Sequence, residues 1–185
     1  DCVVLPDALF AALSQVEQGV ALLFVVRTPT NKSLALIDQS CVLIDAVQDP
    51  GNLGSILRTS AAAGIKQVIC SEGSVFAWSP KVLRAGMGAH FQHDIVEHAD
   101  LQQLITTSTV PVYATDSHAQ KTIYQMNLTG PCAWLFGNEG QGISQELLSC
   151  VTERLTIPQQ VGVESLNVAA AAAVCLFEQK RQCLM

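Results

Sequence analysis

Short apolar segments alternate with helical segments along most of the chain. From Cys41 onward, the apolar runs predict five β-strands, with helices between and after them. The predicted strands are Cys41–Val47, Gln67–Cys70, Val110–Thr115, Cys132–Phe136 and Arg154–Ile157. The predicted helices are Leu53–Ala63, Pro80–Gly86, Leu101–Thr106, Ser144–Ser149 and Leu166–Gln182. This alternation predicts an α/β fold in which a parallel sheet carries helices on both faces.

The first forty residues do not follow this alternation. Apolar spacing predicts a helix between Pro6 and Gly19, and the apolar run Ala21–Val26 predicts a buried strand. Residues 28–39 are polar and rich in turn formers, which indicates a junction. We therefore expect residues 1–40 to be a lead-in to a main domain that spans residues 41–185.

Composition narrows the class of protein. Hydrophobic residues make up 49% of the 185-residue chain, and this predicts one well-packed domain. No apolar run approaches the ~20 residues of a membrane-spanning helix. The net charge of −6 argues against broad, non-specific nucleic-acid binding. Seven cysteines without a Cys-x-x-Cys pair indicate free thiols in a reducing compartment, which favours the cytoplasm.

The first candidate for chemistry is the turn that follows the first predicted strand. It runs from Asp49 to Arg58, and its Pro-Gly pair favours a tight turn before a helix that begins near Asn52. Asn52 and Arg58 are its polar candidates. An ordinary turn with a surface arginine would fit the same residues.

The second candidate is a glycine-rich segment, Leu135–Ser144, which also follows a strand. Three glycines within six residues predict a backbone shaped for close contact around Glu139, and Ser144 is a suitable cap for the next helix. The segment lacks the Gly-Lys-Ser/Thr ending of a phosphate-binding loop and the glycine spacing of a dinucleotide fingerprint. A plain glycine-rich turn with a solvated glutamate is the alternative interpretation.

The third candidate begins at Ile157-Pro158 and leads into an alanine-rich helix. Ser165 is the predicted cap of that helix. Asn167 stands out, because a polar amide among small apolar residues must find hydrogen-bond partners. The alternative is a well-capped helix in a tight core.

The four histidines do not indicate a metal site. His90 and His93 form a His-x-x-His pair, but neither His98 nor His118 provides a third ligand at credible spacing. We therefore expect no metal.

Together and in this order, the three segments resemble the SpoU/TrmH branch of the SPOUT methyltransferases. The resemblance lies in Asn52…Arg58, in Gly137-Asn138-Glu139-Gly140, and in Ile157-Pro158 followed by Ser165-Leu166-Asn167-Val168-Ala169. The stretch Trp78–Ala89 is also similar to that family's region between the first two motifs. The likeness covers roughly residues 41–182.

The resemblance implies a fold that the apolar pattern does not show. In that family, the C-terminal part of the parallel sheet is threaded into a deep trefoil knot, a feature nearly absent from other proteins. The resemblance also implies a homodimer whose partner subunit completes each active site. It implies S-adenosylmethionine as the cofactor, held bent within the knot.

Site residues follow from the same resemblance. The cofactor pocket would be formed by Thr115, Gly137, Ile157 and Leu166. The catalytic set would be Asn52, Arg58, Glu139, Ser165 and Asn167.

The implied reaction is methyl transfer to a ribose 2′-hydroxyl of structured RNA, with ribosomal RNA favoured. The sulfonium is already a good leaving group, so no metal is required. Family accounts make Arg58 the general base, but a guanidinium is normally always protonated. We expect Arg58 instead to hold the ribose or its phosphate and to stabilise the developing alkoxide.

Several alternatives stay open. The substrate could be transfer RNA, or the chain could be a non-catalytic RNA-binding or assembly module with the same fold. A dinucleotide-dependent oxidoreductase also fits alternating strands and helices, although no Gly-x-Gly-x-x-Gly follows the first strand. Residues 1–40 are expected to be the remnant of a missing RNA-binding domain, and that missing part would supply the RNA affinity that a chain of negative net charge lacks.

Overall fold

The computed structural model describes residues 2–14, 20–160, 162 and 165–184, in two units, Asp1–Thr30 and Asn31–Met185. The first unit contains helix α1, Asp7–Leu13, which confirms part of the predicted helix; residues 15–19 lie outside the described residues. The predicted strand Ala21–Val26 is wrong. Its side chains are exposed, and within the described residues the run pairs with no other strand, without which a strand is not stable.

The second unit is a seven-stranded sheet in which every neighbouring pair of strands is parallel. Its strands are β1 Cys41–Ile44, β2 Gln67–Ser71, β3 Asp94–Ala99, β4 Val112–Thr115, β5 Lys121–Thr122, β6 Ala133–Phe136 and β7 Glu153–Thr156. Its helices are α2 Pro50–Ala63, α3 Pro80–Gly86, α4 Leu101–Thr107, α5 Gln145–Leu148 and α6 Val168–Cys183. The strands lie in the order β3-β2-β1-β6-β4-β7-β5. The predicted parallel α/β class is confirmed.

Both faces of the central strands of the sheet are buried, as their uninterrupted apolar sequences require. In β1, Val42 and Ile44 pack with residues of α2, α3 and α6, whereas Cys41 and Leu43 pack on the opposite face with residues of α4 and α5. Successive residues of a strand point to opposite faces, so an apolar run of four supplies both cores.

Two of the strands were missed by the apolar pattern. β5 has two residues, and β3 carries charged residues among its apolar ones. Glu97 of β3 is nevertheless buried, and its Oε1 accepts a hydrogen bond of 2.8 Å from the Ala77 N–H. The Asn31 side chain holds the Glu97 backbone at both N–H and C=O. A buried carboxylate is tolerated because it is hydrogen-bonded.

Helix α2 begins at Pro50, three residues before the start of the predicted helix Leu53–Ala63. Asp49 caps it by accepting a hydrogen bond of 2.8 Å from the Asn52 N–H, and Pro50 occupies the first helical position, where no N–H is needed. Gly64, at φ +92°, ends the helix in the left-handed conformation that favours glycine.

The cap of α6 corrects a second prediction. Asn167, not Ser165, is the N-cap residue, because its Oδ1 accepts from both the Ala169 and Ala170 N–H groups. Ser144 does occupy the N-cap position of α5, but its side chain makes no capping bond.

All seven cysteines are free thiols, and Cys41, Cys70, Cys132 and Cys175 are buried. Burial raises the pKa of Cys41 and of Cys132 to about 12, which keeps both thiols protonated and inert at neutral pH. None of the described helices has the length and hydropathy needed to cross a bilayer.

Gly54 sets the distance between α2 and α3. A Cβ at this position would lie 2.9 Å from the Gly86 N and the Val82 O, and closer still to the Ala85 Cβ. We predict that Gly54→Ala destabilises the fold by about 1–3 kcal/mol, because backbone atoms would have to move. Urea unfolding measures this. Gly130→Ala is the control, since its Cβ would enter open space; equal stability of the two variants would contradict the prediction.

Candidate functional site

The site forms where the chain reverses its direction of travel across the sheet. β1 and β6 are neighbours, but β1 leads to β2 on one side, while β6 neighbours β4 on the other. At such a switch point, the loops beyond the carboxyl ends diverge and leave a crevice in which ligands bind. The loop after β1 (residues 45–49) and the loop after β6 (residues 137–144) meet there.

The loop after β6 is closed upon itself by backbone hydrogen bonds. Asn138 and Gly142 exchange two of them, of 2.9 and 3.0 Å, and the Asn138 Oδ1 accepts from the Gly140 and Gln141 N–H groups. A Cβ on Gly137 would collide with the backbone of Gly142 and Ile143. Glycine at position 137 is therefore required by the space inside the loop.

Glu139 joins this loop to the loop after β1. Its carboxylate accepts hydrogen bonds from the Gln48 N–H (3.3 Å), the Asp49 N–H (3.2 Å) and the Asn52 Nδ2 (2.9 Å). Desolvation acts to raise the pKa of Glu139, but the hydrogen bonds from Asn52 and from backbone N–H groups outweigh it and lower the pKa. Glu139 is thus held as a carboxylate.

Asn52 extends the connection to the third segment. Its Oδ1 accepts a hydrogen bond of 2.9 Å from the Asn167 Nδ2. Because the Asn167 Oδ1 also caps α6, one chain of hydrogen bonds runs from Glu139 through Asn52 to the start of that helix. We call Glu139, Asn52 and Asn167 the polar relay. The Asn167 amide therefore has the hydrogen-bond partners that were expected for it.

A cavity of about 770 Å³ opens beside the relay. Its walls come from the segments that follow β4, β6 and β7, together with the first turns of α5 and α6. All four residues predicted to form the cofactor pocket line it: Thr115, Gly137, Ile157 and Leu166. Glu139, Ser165 and Asn167 of the predicted catalytic set line it as well. Its volume suits a ligand of cofactor size.

Two predicted catalytic residues lie apart from this cavity wall. Asn52 belongs to the relay but is not a lining residue. Arg58 lies on the exposed side of α2, six residues or about 9 Å farther along the helix axis. Within the described part of the chain, its guanidinium makes no hydrogen bond or ion pair.

Three acidic or basic residues of the site had not been singled out in the sequence. The Asp45 Oδ2 accepts from the Ser144 N–H at 3.0 Å and fixes the end of the glycine loop. Asp116, directly after β4, lines the cavity with Arg154, whose Nη1 lies 4.0 Å from its Oδ2. The available signal was their position: Asp45 and Asp116 each follow the last residue of a strand.

Two of the histidines, the His-x-x-His pair, have structural partners. His90 and His93 direct their Nε2 atoms to the carbonyl oxygens of Ala77 and Leu57, both at 2.8 Å.

These features define a parallel α/β protein whose ligand cavity is built from glycine-rich and amide-bearing loops at the carboxyl edge of the sheet. The chain belongs to the SpoU rRNA Methylase family, whose model matches residues 39–177. The resemblance to the SpoU/TrmH branch is thereby confirmed.

Curated relatives match most of the chain. The uncharacterized tRNA/rRNA methyltransferase of Synechocystis sp. is 35% identical over 180 residues, covering 96% of this chain and 61% of the relative. The 23S rRNA (guanosine(2553)-2′-O)-methyltransferase RlmP of Bacillus subtilis is 33% identical, covering 95% of this chain and 71% of the relative. The chain thus spans less than two thirds of the Synechocystis protein's length.

A solved structure shows the same fold with a ligand. The SpoU methyltransferase AviRb from Streptomyces viridochromogenes, in complex with the cofactor AdoMet, superposes with a TM-score of 0.73 at 28% identity. The match covers 80% of this chain and 62% of that one.

The lowered pKa of Glu139 depends on Asn52. We predict that Asn52→Ala raises the pKa of Glu139, because the carboxylate loses its shortest hydrogen bond. A carbon-detected NMR titration of the glutamate carboxyls measures this.

The sign of the pH effect follows from the direction of that shift. Because folding lowers the pKa, ionised Glu139 stabilises the fold above its unfolded value of about 4.3, and that stability is lost as the pH falls through the folded pKa. The control for the Asn52 variant is Asn127→Ala, which removes an amide that is bonded to Thr129 within its own turn. An unchanged Glu139 pKa in Asn52→Ala would contradict the assignment.

Proposed function

We propose that this chain transfers a methyl group from S-adenosylmethionine to a ribose 2′-hydroxyl of RNA, with ribosomal RNA favoured over transfer RNA. One observation carries the proposal: the cavity is lined by all four predicted cofactor residues and is flanked by the polar relay. The AdoMet complex of AviRb supports the cofactor, and the 2′-O activity named for the Bacillus relative supports the reaction.

The residues present suit this cofactor. Gly137 closes a loop that offers backbone groups, and Ile157, Leu166 and Val168 give apolar walls for an adenine ring. Asp116 and Arg154 bring opposite charges to one side of the same cavity. When bound, the cofactor supplies an electrophilic methyl group on a sulfonium whose leaving group is a neutral thioether.

The polar relay positions the site and does not remove the proton. The Glu139 carboxylate already accepts three hydrogen bonds and has a lowered pKa, so it is a poor base. Its role is to hold the cofactor loop against α2. Asn167 lies at the cavity wall and links that loop to α6. Ser165, exposed at the same wall, is placed to contact the substrate.

Arg58 is proposed to hold the ribose or its phosphate and to stabilise the developing alkoxide by paired hydrogen bonds. Its guanidinium is exposed on α2, outside the cavity wall of its own subunit, and makes no bond within the described residues. It is therefore available to contact a ligand that a partner subunit holds. This placement supports a homodimer in which Arg58 completes the partner's site.

The trefoil knot is proposed for the C-terminal half of the sheet. The sheet order supports it, because β7, late in the chain, lies between β4 and β5, both of which precede it. The residues that follow β4, β6 and β7 surround one cavity, as threaded loops would. The cytoplasm stays the proposed compartment, supported by the seven free thiols.

Calorimetric titration with S-adenosylhomocysteine, in parallel with NADH, tests the cofactor. We expect S-adenosylhomocysteine to bind saturably, with a stoichiometry near one per subunit, and we expect no binding of NADH. Gly137→Ala should abolish it, because the added Cβ strikes loop backbone. The control is Gly140→Ala in the same loop, whose Cβ would make an ordinary 3.6 Å contact with the Asn138 Oδ1. Equal affinities for the two variants would count against the site.

Replacement of Arg58 by Lys tests its role in turnover. Lys keeps the charge but lacks the planar pair of donors, so we predict a loss of about 100-fold in methyl transfer to RNA with unchanged affinity for S-adenosylhomocysteine. Single-turnover transfer of a radiolabelled methyl group measures this. Near-normal turnover of the Lys variant would refute the bidentate role.

A further inference from the structure

Charge is unevenly distributed along this acidic chain. The stretch from Pro50 to His93 contains four of the ten Lys and Arg residues but only one of the sixteen Asp and Glu residues, Glu72. This stretch is locally basic although the whole chain has a net charge of −6.

The fold gathers most of this stretch on one face of the sheet. Helix α2, helix α3 and the 3-10 turn Ala89–Gln92 pack on one another and contribute to the same core cluster. Gly54 brings α2 against the end of α3, and the bond from the His93 Nε2 to the Leu57 carbonyl fixes the 3-10 turn beside Arg58. The exposed side of these three elements is one surface.

Three cations of this surface are exposed and uncompensated. Arg58, Lys81 and Arg84 form no ion pair or hydrogen bond within the described part of the chain. By contrast, Lys32 and Lys121, elsewhere on the protein, pair with Asp94 and Glu153.

Exposed apolar side chains accompany the cations. Leu83 of α3, Met87 at its end and Phe91 of the 3-10 turn are 39%, 71% and 91% exposed. Met87 has a φ of +47°, a left-handed conformation that favours glycine, so the backbone is strained where it presents this side chain. The 3-10 turn that carries Phe91 is anchored by its neighbour His90, which is buried, bonded to the Ala77 carbonyl and in contact with the Trp78 ring.

We infer that the part of this surface formed by Lys81, Leu83, Arg84, Met87 and Phe91 binds the substrate RNA next to Arg58 and the methylation site. Lys81 and Arg84 contact phosphates, and Phe91 stacks on an unpaired base. Free cations beside an exposed aromatic ring are the features that bind single-stranded nucleic acid. The surface adjoins the relay, since Asn52 lies in the first turn of α2.

Charge decides between RNA and a second copy of the chain as the occupant. A two-fold interface centred on Lys81 and Arg84 would bring the unpaired cations of both copies together, whereas Arg58, which is proposed to reach the partner's site, belongs to α2 and is not part of this group. A polyanion neutralises them instead. The inference rests on the proposed function, because it names the surface by which that RNA substrate is held.

The experiment measures anisotropy of a fluorescein-labelled single-stranded RNA of mixed sequence, titrated with the whole chain at several salt concentrations. For the double variant Lys81→Gln, Arg84→Gln, we expect about tenfold weaker binding of the RNA. The slope of the logarithm of the binding constant against the logarithm of the salt concentration should also be smaller in magnitude by roughly 1.4, because two contacts to single-strand phosphates are lost. Phe91→Ala should weaken binding about tenfold without changing the slope.

Matched variants control for charge and for aromatic loss. The double variant Lys32→Gln, Lys121→Gln removes the same charge from paired positions, and Tyr124→Ala removes another exposed ring. Both should bind RNA as the unaltered chain does. All four variants should keep its affinity for S-adenosylhomocysteine, which shows an intact site.

The outcomes separate this inference from the proposed function. No RNA binding by the unaltered chain at low salt, or equal losses in test and control variants, would overturn the inference. So would a changed molar mass of the test variants in light scattering, which would mark the surface as a subunit interface. Failure of the unaltered chain to bind S-adenosylhomocysteine would instead overturn the proposed function. The RNA affinities of the test and control variants could still be compared with one another in that case.

Discussion

The site depends on one carboxylate that accepts hydrogen bonds from three donors in a different segment of the chain. Glu139 leaves the end of β6, yet its partners are Gln48, Asp49 and Asn52, which follow β1. Neighbouring parallel strands bring these segments together, and the switch in strand order leaves space beyond them. Without these hydrogen bonds, the glycine loop would be joined to the loop after β1 mainly through the Asn138 and Asp45 side chains.

The sheet could be predicted from sequence where burial alone determines it. Segments such as Ala133–Phe136 are apolar throughout because both faces of the sheet are covered, so four residues identify a strand. The same criterion failed for β3, where Glu97 is buried through a hydrogen bond from a residue twenty positions earlier. It also failed for Ala21–Val26, because an apolar run does not show whether another strand lies beside it.

The residues of the site could be predicted where they belong to one of the three sequence motifs. Glu139, Asn52 and Asn167 were singled out from their type and position, and the structure joins them directly. The pairing itself could not be read from the chain, since Asn52 and Asn167 are separated by 115 residues. Ser165 was preferred as the cap because serine commonly caps helices, whereas the geometry gives that place to Asn167. Asp45 and Asp116 gave only the weak signal of following a strand.

The amide of Asn167 has two functions, one at each atom. Its oxygen accepts from two N–H groups of α6, and its nitrogen donates to Asn52. Aspartate could replace the oxygen but has no donor, and serine is too short to reach across to Asn52 while capping its own helix. Glutamine has both groups but places them one methylene farther out. Of these residue types, only asparagine carries both groups at the observed reach, so the two ends of one amide account for the presence of asparagine at this position.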